Sequence, residues 1–177
     1  MYRSDDLGAT WSTIREHDTL ARRNEPNGIE ICPSDFTPKF HAKSGKLLGI
    51  GHNVRYRDNK VIHDRQRETV WSVYDDQKRS WTPWVNLPMP AEPKFFCAGA
   101  GCVQRFDLEN GDILLPIYFK AEKDKYYRTT VLRCSFDGTT LRYLEHGTEL
   151  ALESGRGVYE PSLTRCAGKF YLTLRND

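Results

Sequence analysis

No apolar run in the 177-residue chain is long enough to cross a membrane. The longest, Ile113-Leu114-Leu115-Pro116-Ile117 and Leu150-Ala151-Leu152, fall far short of the ~20 residues a helical span needs. Apolar residues at helical spacing are also missing, which excludes a helix bundle. Ile14–Arg23 comes closest, but it has few apolar positions and Pro26-Asn27-Gly28 stops it. Charge of one sign is missing too. Lys and Arg number 26 against 24 Asp and Glu, so there is no dominant basic field for nucleic acid or a membrane surface. Cys32, Cys97, Cys102, Cys134 and Cys166 form no Cys-x-x-Cys pair, and the five histidines are equally scattered, so no metal set is expected. An odd cysteine count leaves at least one thiol unpaired within the chain and the redox compartment open. The start, Met1-Tyr2-Arg3-Ser4-Asp5-Asp6, has neither the basic region nor the apolar core of an export signal.

What is present is punctuation. Strand-like runs joined by Gly turns or by polar loops predict an all-β chain. Three segments share one pattern of extended run, Gly turn and apolar run: Thr37–Asn53 around Ser44-Gly45, Cys102–Lys120 around Asn110-Gly111, and Glu160–Asn176 around Ala167-Gly168. Three further hairpins, Arg3–Trp11, Thr69–Trp84 and Val131–Glu145, cross Asp-containing turns. Naming the four strands of a unit a to d, the order reads c–d, a–b–c–d, a–b–c–d, a–b. Four-stranded antiparallel units repeated around an axis make a β-propeller, typically of ~4–8 blades. The expectation is about three blades' worth: 1–30 the end of one blade, 31–90 and 91–150 whole blades, 151–177 the first half of the next. Both ends cut a blade, so the remainder of the propeller would be needed to complete the fold.

Ser4-Asp5-Asp6-Leu7-Gly8-Ala9-Thr10-Trp11 fits Ser-x-Asp-x-Gly-x-Thr-Trp at every fixed position. This resembles the Asp box (BNR repeat) of sialidases (neuraminidases) and related propellers, six-bladed in that family. Its expected role is structural, with Asp6 bonding turn amides, Gly8 supplying positive φ, and Trp11 packing between sheets. Looser copies are Asp76, Ser80 and Trp81, with Lys78 in place of Gly, and Ser135–Leu141. Ala98-Gly99-Ala100-Gly101-Cys102-Val103-Gln104 resembles a glycine-containing strand entry of bacterial sialidases. Tyr159-Glu160-Pro161-Ser162 and Leu174-Arg175-Asn176 look like the strand pair carrying two of the family's site residues. The resemblance implies that Glu160 polarises a nucleophilic Tyr and that Arg175 belongs to a cluster clamping the substrate carboxylate.

Hairpin arithmetic points the same way. About the Ala167-Gly168 turn, positions summing to 335 should face each other, which pairs Glu160 with Arg175 at the hairpin's open end. A rim ion pair contributing roughly 0–1 kcal/mol is the bland alternative. The guanidinium fork suits carboxylate recognition. Seven residues past the turn Gly, where Arg175 stands, the other repeats have His52 and Tyr118. His52 could be an acid, a base, a sugar contact or a structural imidazole; Tyr118 reads as packing or sugar stacking. The charged loop after His52 (Arg55, Arg57, Asp58, Lys60, His63, Asp64, Arg65, Arg67) could form an anion-binding rim, with Arg55 its nominated contact, or simply be solvated. Asp35 and Asp58 are the spare proton donors.

The resemblance implies an exo-acting glycoside hydrolase for terminal sialic or other acidic sugars, retaining, with a Tyr nucleophile and no cofactor. Its glycan is the expected partner, and members are commonly secreted or periplasmic. The family's Arg-Ile-Pro arginine and acid/base Asp lie ahead of the first box, and its third arginine and Tyr would follow Asp177, so the 177 residues alone are expected to lack turnover. Two alternatives stay open: a non-catalytic glycan- or protein-binding propeller, and a propeller polysaccharide lyase in which His52 with a Tyr abstracts the proton beside a uronate carboxylate.

Overall fold

The computed structural model describes residues 1–62 and 66–177; His63, Asp64 and Arg65 of the charged loop lie outside the described residues. The fold is all-β, with 52% strand and, among the described residues, no closed barrel. Among the described residues, no helix is long and apolar enough to cross a membrane.

Strands β1 (Arg23–Glu25), β2 (Ile29–His41), β3 (Lys46–Arg57), β4 (Lys60–Val61), β5 (Arg67–Asp75), β6 (Ser80–Trp81) and β7 (Val85–Asn86) form a first antiparallel unit, built on β2-β3-β5. A second contains β8 (Cys97–Gly99), β9 (Phe106–Asp107), β10 (Ile113–Lys120), β11 (Arg128–Phe136), β12 (Leu141–His146) and β13 (Leu150–Ala151). A two-stranded hairpin, β14 (Tyr159–Cys166) and β15 (Lys169–Arg175), completes the chain. Of the expected divisions, 90 falls between units, 30 cuts the start of β2, and 150 cuts β13. β1 pairs with β2, so it belongs to the first full unit rather than to an earlier one.

Strand alternation builds the core. Ile113, Leu115, Ile117 and Phe119 share one face of β10 and are fully buried against Leu48, Ile50, Trp71 and Val73 of the first unit. Each such side chain contributes roughly 1.5–3 kcal/mol of apolar burial. The same junction recurs between successive units. The start of β5 makes a parallel bridge to the start of β8 (Arg67 with Cys97), and Tyr127, just before β11, makes one to Gly157. Two residues on, the Thr69 hydroxyl donates to the Ala98 carbonyl at 3.3 Å, and the Thr129 hydroxyl to the Val158 carbonyl at 3.0 Å. Equivalent residues therefore join unit one to unit two and unit two to the final hairpin.

Four expectations need correction. The Arg3–Trp11 segment forms no ladder; it is a turn whose ends are clipped by Ser12 N–H to the Arg3 carbonyl (2.8 Å) and Arg15 N–H to the Met1 carbonyl (3.0 Å). Within it the box polar groups act as expected. Asp6 accepts from the Thr10 amide (2.9 Å) and hydroxyl (2.6 Å), which pulls its carboxyl down to about 2; Ser4 Oγ accepts from the Gly8 amide at 2.8 Å. Trp11, however, is 62% exposed and does not pack between sheets. No strand of the described residues lies over this segment, and the ring folds back beside Gly8 instead. In the second copy the turn is capped by Asp75, not Asp76, because β5 runs to Asp75 and puts its carboxylate 3.0 Å from the Lys78 amide. Finally, the extended run Cys102–Glu109 is broken: only β8 and β9 are strand, and Ala100–Arg105 leaves the ladder. The break makes room for His52. A Cβ on Gly99 would lie 2.9 Å from the His52 Cβ, and one on Gly101 only 2.2 Å from His52 Nδ1.

Candidate functional site

Antiparallel pairing sends all the Gly and Asp turns to one end and the longer connections to the other. The open end carries the chemistry. Near it, each of the three a-type segments has one non-Gly residue in the left-handed region: Asp35 (φ 50°) in β2, Cys102 (φ 54°) in the break between β8 and β9, and Glu160 (φ 48°) in β14. Such a conformation costs an L-residue of order 1 kcal/mol or more, so three at comparable places imply a shared constraint.

At Asp35 and Glu160 the constraint is a β-bulge. The β2–β3 register slips between Ser34 and Thr37, and the β14–β15 register between Tyr159 and Ser162. Glu160 is therefore not the direct partner of Arg175. The sum of 335 holds for Ser162 through Cys166, but across the bulge Tyr159 takes the place opposite Arg175. Pro161, which has no N–H to give the ladder, lies within the slip. The ion pair forms nonetheless: Arg175 Nη1 donates to Glu160 Oε2 at 3.0 Å, and Nη2 to Asp177 Oδ2 at 3.2 Å.

Behind this surface lies a buried polar cluster. His52 Nδ1 is 3.1 Å from the Tyr118 hydroxyl, and Nε2 is 3.2 Å from both Asp35 Oδ2 and Arg67 Nη1. One nitrogen cannot donate to the carboxylate and accept from the guanidinium at once. The charge-assisted bond to a carboxylate is the stronger, so we assign Nε2–H to Asp35, which leaves Nδ1 to accept the Tyr118 O–H. Burial raises the Tyr118 pKa well above that of a free phenol, only partly offset by Arg67, so Tyr118 stays a donor. His52 is 1% and Tyr118 5% exposed. Tyr118 also packs edge-on to Tyr127 and Tyr159, with ring centroids 5.4 and 6.2 Å apart. Tyr159 in turn carries the Arg156 and Arg175 guanidiniums, 4.5 and 5.1 Å from its ring centre. The Cys102 thiol pKa is raised by burial and then by the Asp35 and Glu160 carboxylates, with Arg175 opposing. Asp35, Glu160 and Arg175 are thus all near enough to Cys102 to act on its thiol.

No family model and no curated protein matches the chain.

Placement alone therefore carries the reading. His52, Tyr118, Glu160 and Arg175, nominated from hairpin arithmetic, belong to one continuous cluster. Arg55 does not join it. It stands on the other face of β3 from His52 and is spent on Glu25 (3.0 Å), Glu68 (3.1 Å) and the Gln66 carbonyl (2.8 Å). Of the two spare acids, Asp35 enters the site, while Asp58 holds the exposed turn between β3 and β4. Ser4, Asp6, Gly8, Thr10 and Trp11 remain turn residues outside the cluster. Sequence reasoning missed Tyr127 and Cys102 as members, and had Arg67 only as one of the charges of the loop after His52. Cys102 sits nine residues before its turn Gly where Asp35 sits ten and Glu160 eight, so no constant spacing marks it. Among the described residues, no three or more His, Cys, Asp or Glu side chains are grouped to hold a metal ion.

Proposed function

We propose that this chain is part of a sialidase-like β-propeller glycoside hydrolase acting on a terminal acidic sugar, sialic acid or a relative. The observation that carries the proposal is the meeting of Asp35, Cys102 and Glu160, from three successive hairpins, beside Arg175. Radial repetition brings equivalent strand positions to a common axis, and the recurring Thr69 and Thr129 junctions support such repetition. In this reading Arg175 holds the sugar carboxylate through its guanidinium fork. Glu160 orients that guanidinium in the free protein and, with substrate bound, assists the nucleophilic Tyr. Asp35 accepts from sugar hydroxyls. His52 and Tyr118 are braced behind Asp35 rather than touching substrate, because further chain could only add to their burial.

A second reading has its own observation. The Tyr118–His52 hydrogen bond with Arg67 alongside is also the equipment of a lyase, which pairs a proton-abstracting group with a cation on a uronate carboxylate. One experiment separates the two: incubate the complete propeller of which we propose this chain is part, rather than the 177 residues alone, with sialosides and with uronate-containing oligosaccharides, and analyse the products. Release of the intact acidic sugar, with Glu160→Gln lowering turnover on the order of 100-fold, is the expected result. An unsaturated uronate product would establish the lyase, and full activity in Glu160→Gln would leave that residue a strut.

A further inference from the structure

The cluster around Arg175 leaves one cavity of the structure unexplained. It has a volume of about 800 Å³, within the usual range for ligand sites. Its wall comes from the open-end connections: the segment 86–96 between β7 and β8, the start of β5, and Ala121–Lys123 after β10. It thus opens at the same end as the site. Arg67 belongs to both, lining the cavity while its Nη1 lies 3.2 Å from His52 Nε2. The floor is apolar, with Leu87, Met89, Phe95 and Phe96; on the wall Glu68 and Glu92 are paired with Arg55 and Lys94, which leaves Glu122 beside Arg67 and Lys123 with no strong charge of one sign. Such a lining offers no concentrated charge to a second charged sugar. It suits a neutral sugar with an apolar face, one bearing a methyl or N-acetyl group.

Resting on the acidic-sugar reading above, we propose that this cavity is a second subsite, for the neutral, methyl- or N-acetyl-bearing sugar joined to the terminal acidic one. The acidic residue sits among Asp35, Cys102, Glu160 and Arg175, and the next sugar crosses Arg67 onto Met89 and Phe96. The enzyme then prefers extended glycans to the bare acidic monosaccharide through binding at a place remote from the scissile bond.

The chain contains two methionines, Met1 and Met89, so methyl-labelled methionine gives one reporter inside the cavity and one at the N-terminus. Two ligand types are titrated: methyl glycosides of N-acetylneuraminate and glucuronate, and the same acidic sugars linked to N-acetylglucosamine. Occupancy of the acidic site is read separately as protection of Cys102 from a neutral maleimide. The expected result is that both types protect Cys102, but only the disaccharides shift the Met89 methyl. Ala91→Trp, at an exposed position on the cavity wall, should abolish that shift. It should also weaken disaccharide binding about tenfold, leaving the monosaccharides unchanged, the worth of a buried sugar contact at ~1.4 kcal/mol per tenfold. Disaccharides that protect Cys102 without moving Met89 would overturn the second subsite and leave the acidic site standing. A Met89 shift with the monosaccharides would also overturn it. Failure of every sugar to protect Cys102 would overturn both.

Discussion

Arg105→Ala should lower the stability of the fold by about 3–5 kcal/mol, the usual consequence of breaking a buried, fully bonded charge. For a domain of this size that is a fall in Tm on the order of 6–20 °C. Arg105 is 4% exposed, and its guanidinium ties the second unit to the first. Nη1 donates to the Leu48 carbonyl at 2.8 Å, Nη2 to the Lys39 carbonyl at 3.0 Å, and Nε to Asp107 at 2.9 Å. Burial lowers the Arg105 pKa and Asp107 opposes the shift, yet a guanidinium stays charged. Its removal takes a donor from the buried Leu48 carbonyl and the half-buried Lys39 carbonyl, and leaves the Asp107 carboxylate, 14% exposed, with only the more distant Lys39 ammonium at 3.8 Å. Arg105→Lys should recover less than half of the loss, since one ammonium cannot reach both carbonyls and the carboxylate in that fork geometry. Thermal unfolding followed by circular dichroism checks this; a fall under ~1 kcal/mol in Arg105→Ala would show that the units are not coupled there.

Arg175→Ala is the largest expected functional effect. In the complete propeller, loss of the proposed bidentate carboxylate contact should lower kcat/KM for the acidic sugar on the order of 100-fold, about 2.7 kcal/mol. Arg175→Lys should restore only part of it, because the fork and its plane over Tyr159 are lost. Arg55→Ala is the matched control. That guanidinium is already shared between Glu25 and Glu68, and its removal should leave kcat/KM within about twofold. A neutral analogue lacking the carboxylate should bind wild type and Arg175→Ala equally. If Arg55→Ala proved the more damaging change, the carboxylate site would lie on the other face of β3.

Hairpin punctuation made most of the strand plan legible. Ala167 (φ 48°) and Gly168 (φ 78°) both take the left-handed values of a type I′ turn, and a two-residue loop of that kind fixes the register beyond it. Counting from the turns also found His52, Tyr118 and Arg175 at one end, since strand alternation is rigid. It failed at the bulges. A bulge adds one residue to one strand, so the opposed pair became Tyr159 and Arg175, and Glu160 reached its partner only through side-chain length. It also missed Arg67 and Tyr127, which take part through short parallel bridges between units. Such contacts join residues far apart in sequence and leave no local spacing to read. The Ser4–Trp11 motif predicted its turn bonds because they are local. It mispredicted Trp11, whose burial depends on a neighbouring sheet.

The central claim is that Asp35, Cys102, Glu160 and Arg175 surround one acidic-sugar site. Two exposed thiols allow a direct test: Cys102 lies within the site, and Cys166 lies beside the Ala167-Gly168 turn at the opposite end. Alkylation by a neutral maleimide is followed at each cysteine by mass spectrometry, with and without saturating acidic sugar. Selective protection of Cys102, absent for a neutral sugar and lost in Arg175→Ala, is the predicted result. Equal labelling of Cys102 and Cys166 under all conditions, in a protein that demonstrably binds the sugar, would contradict it.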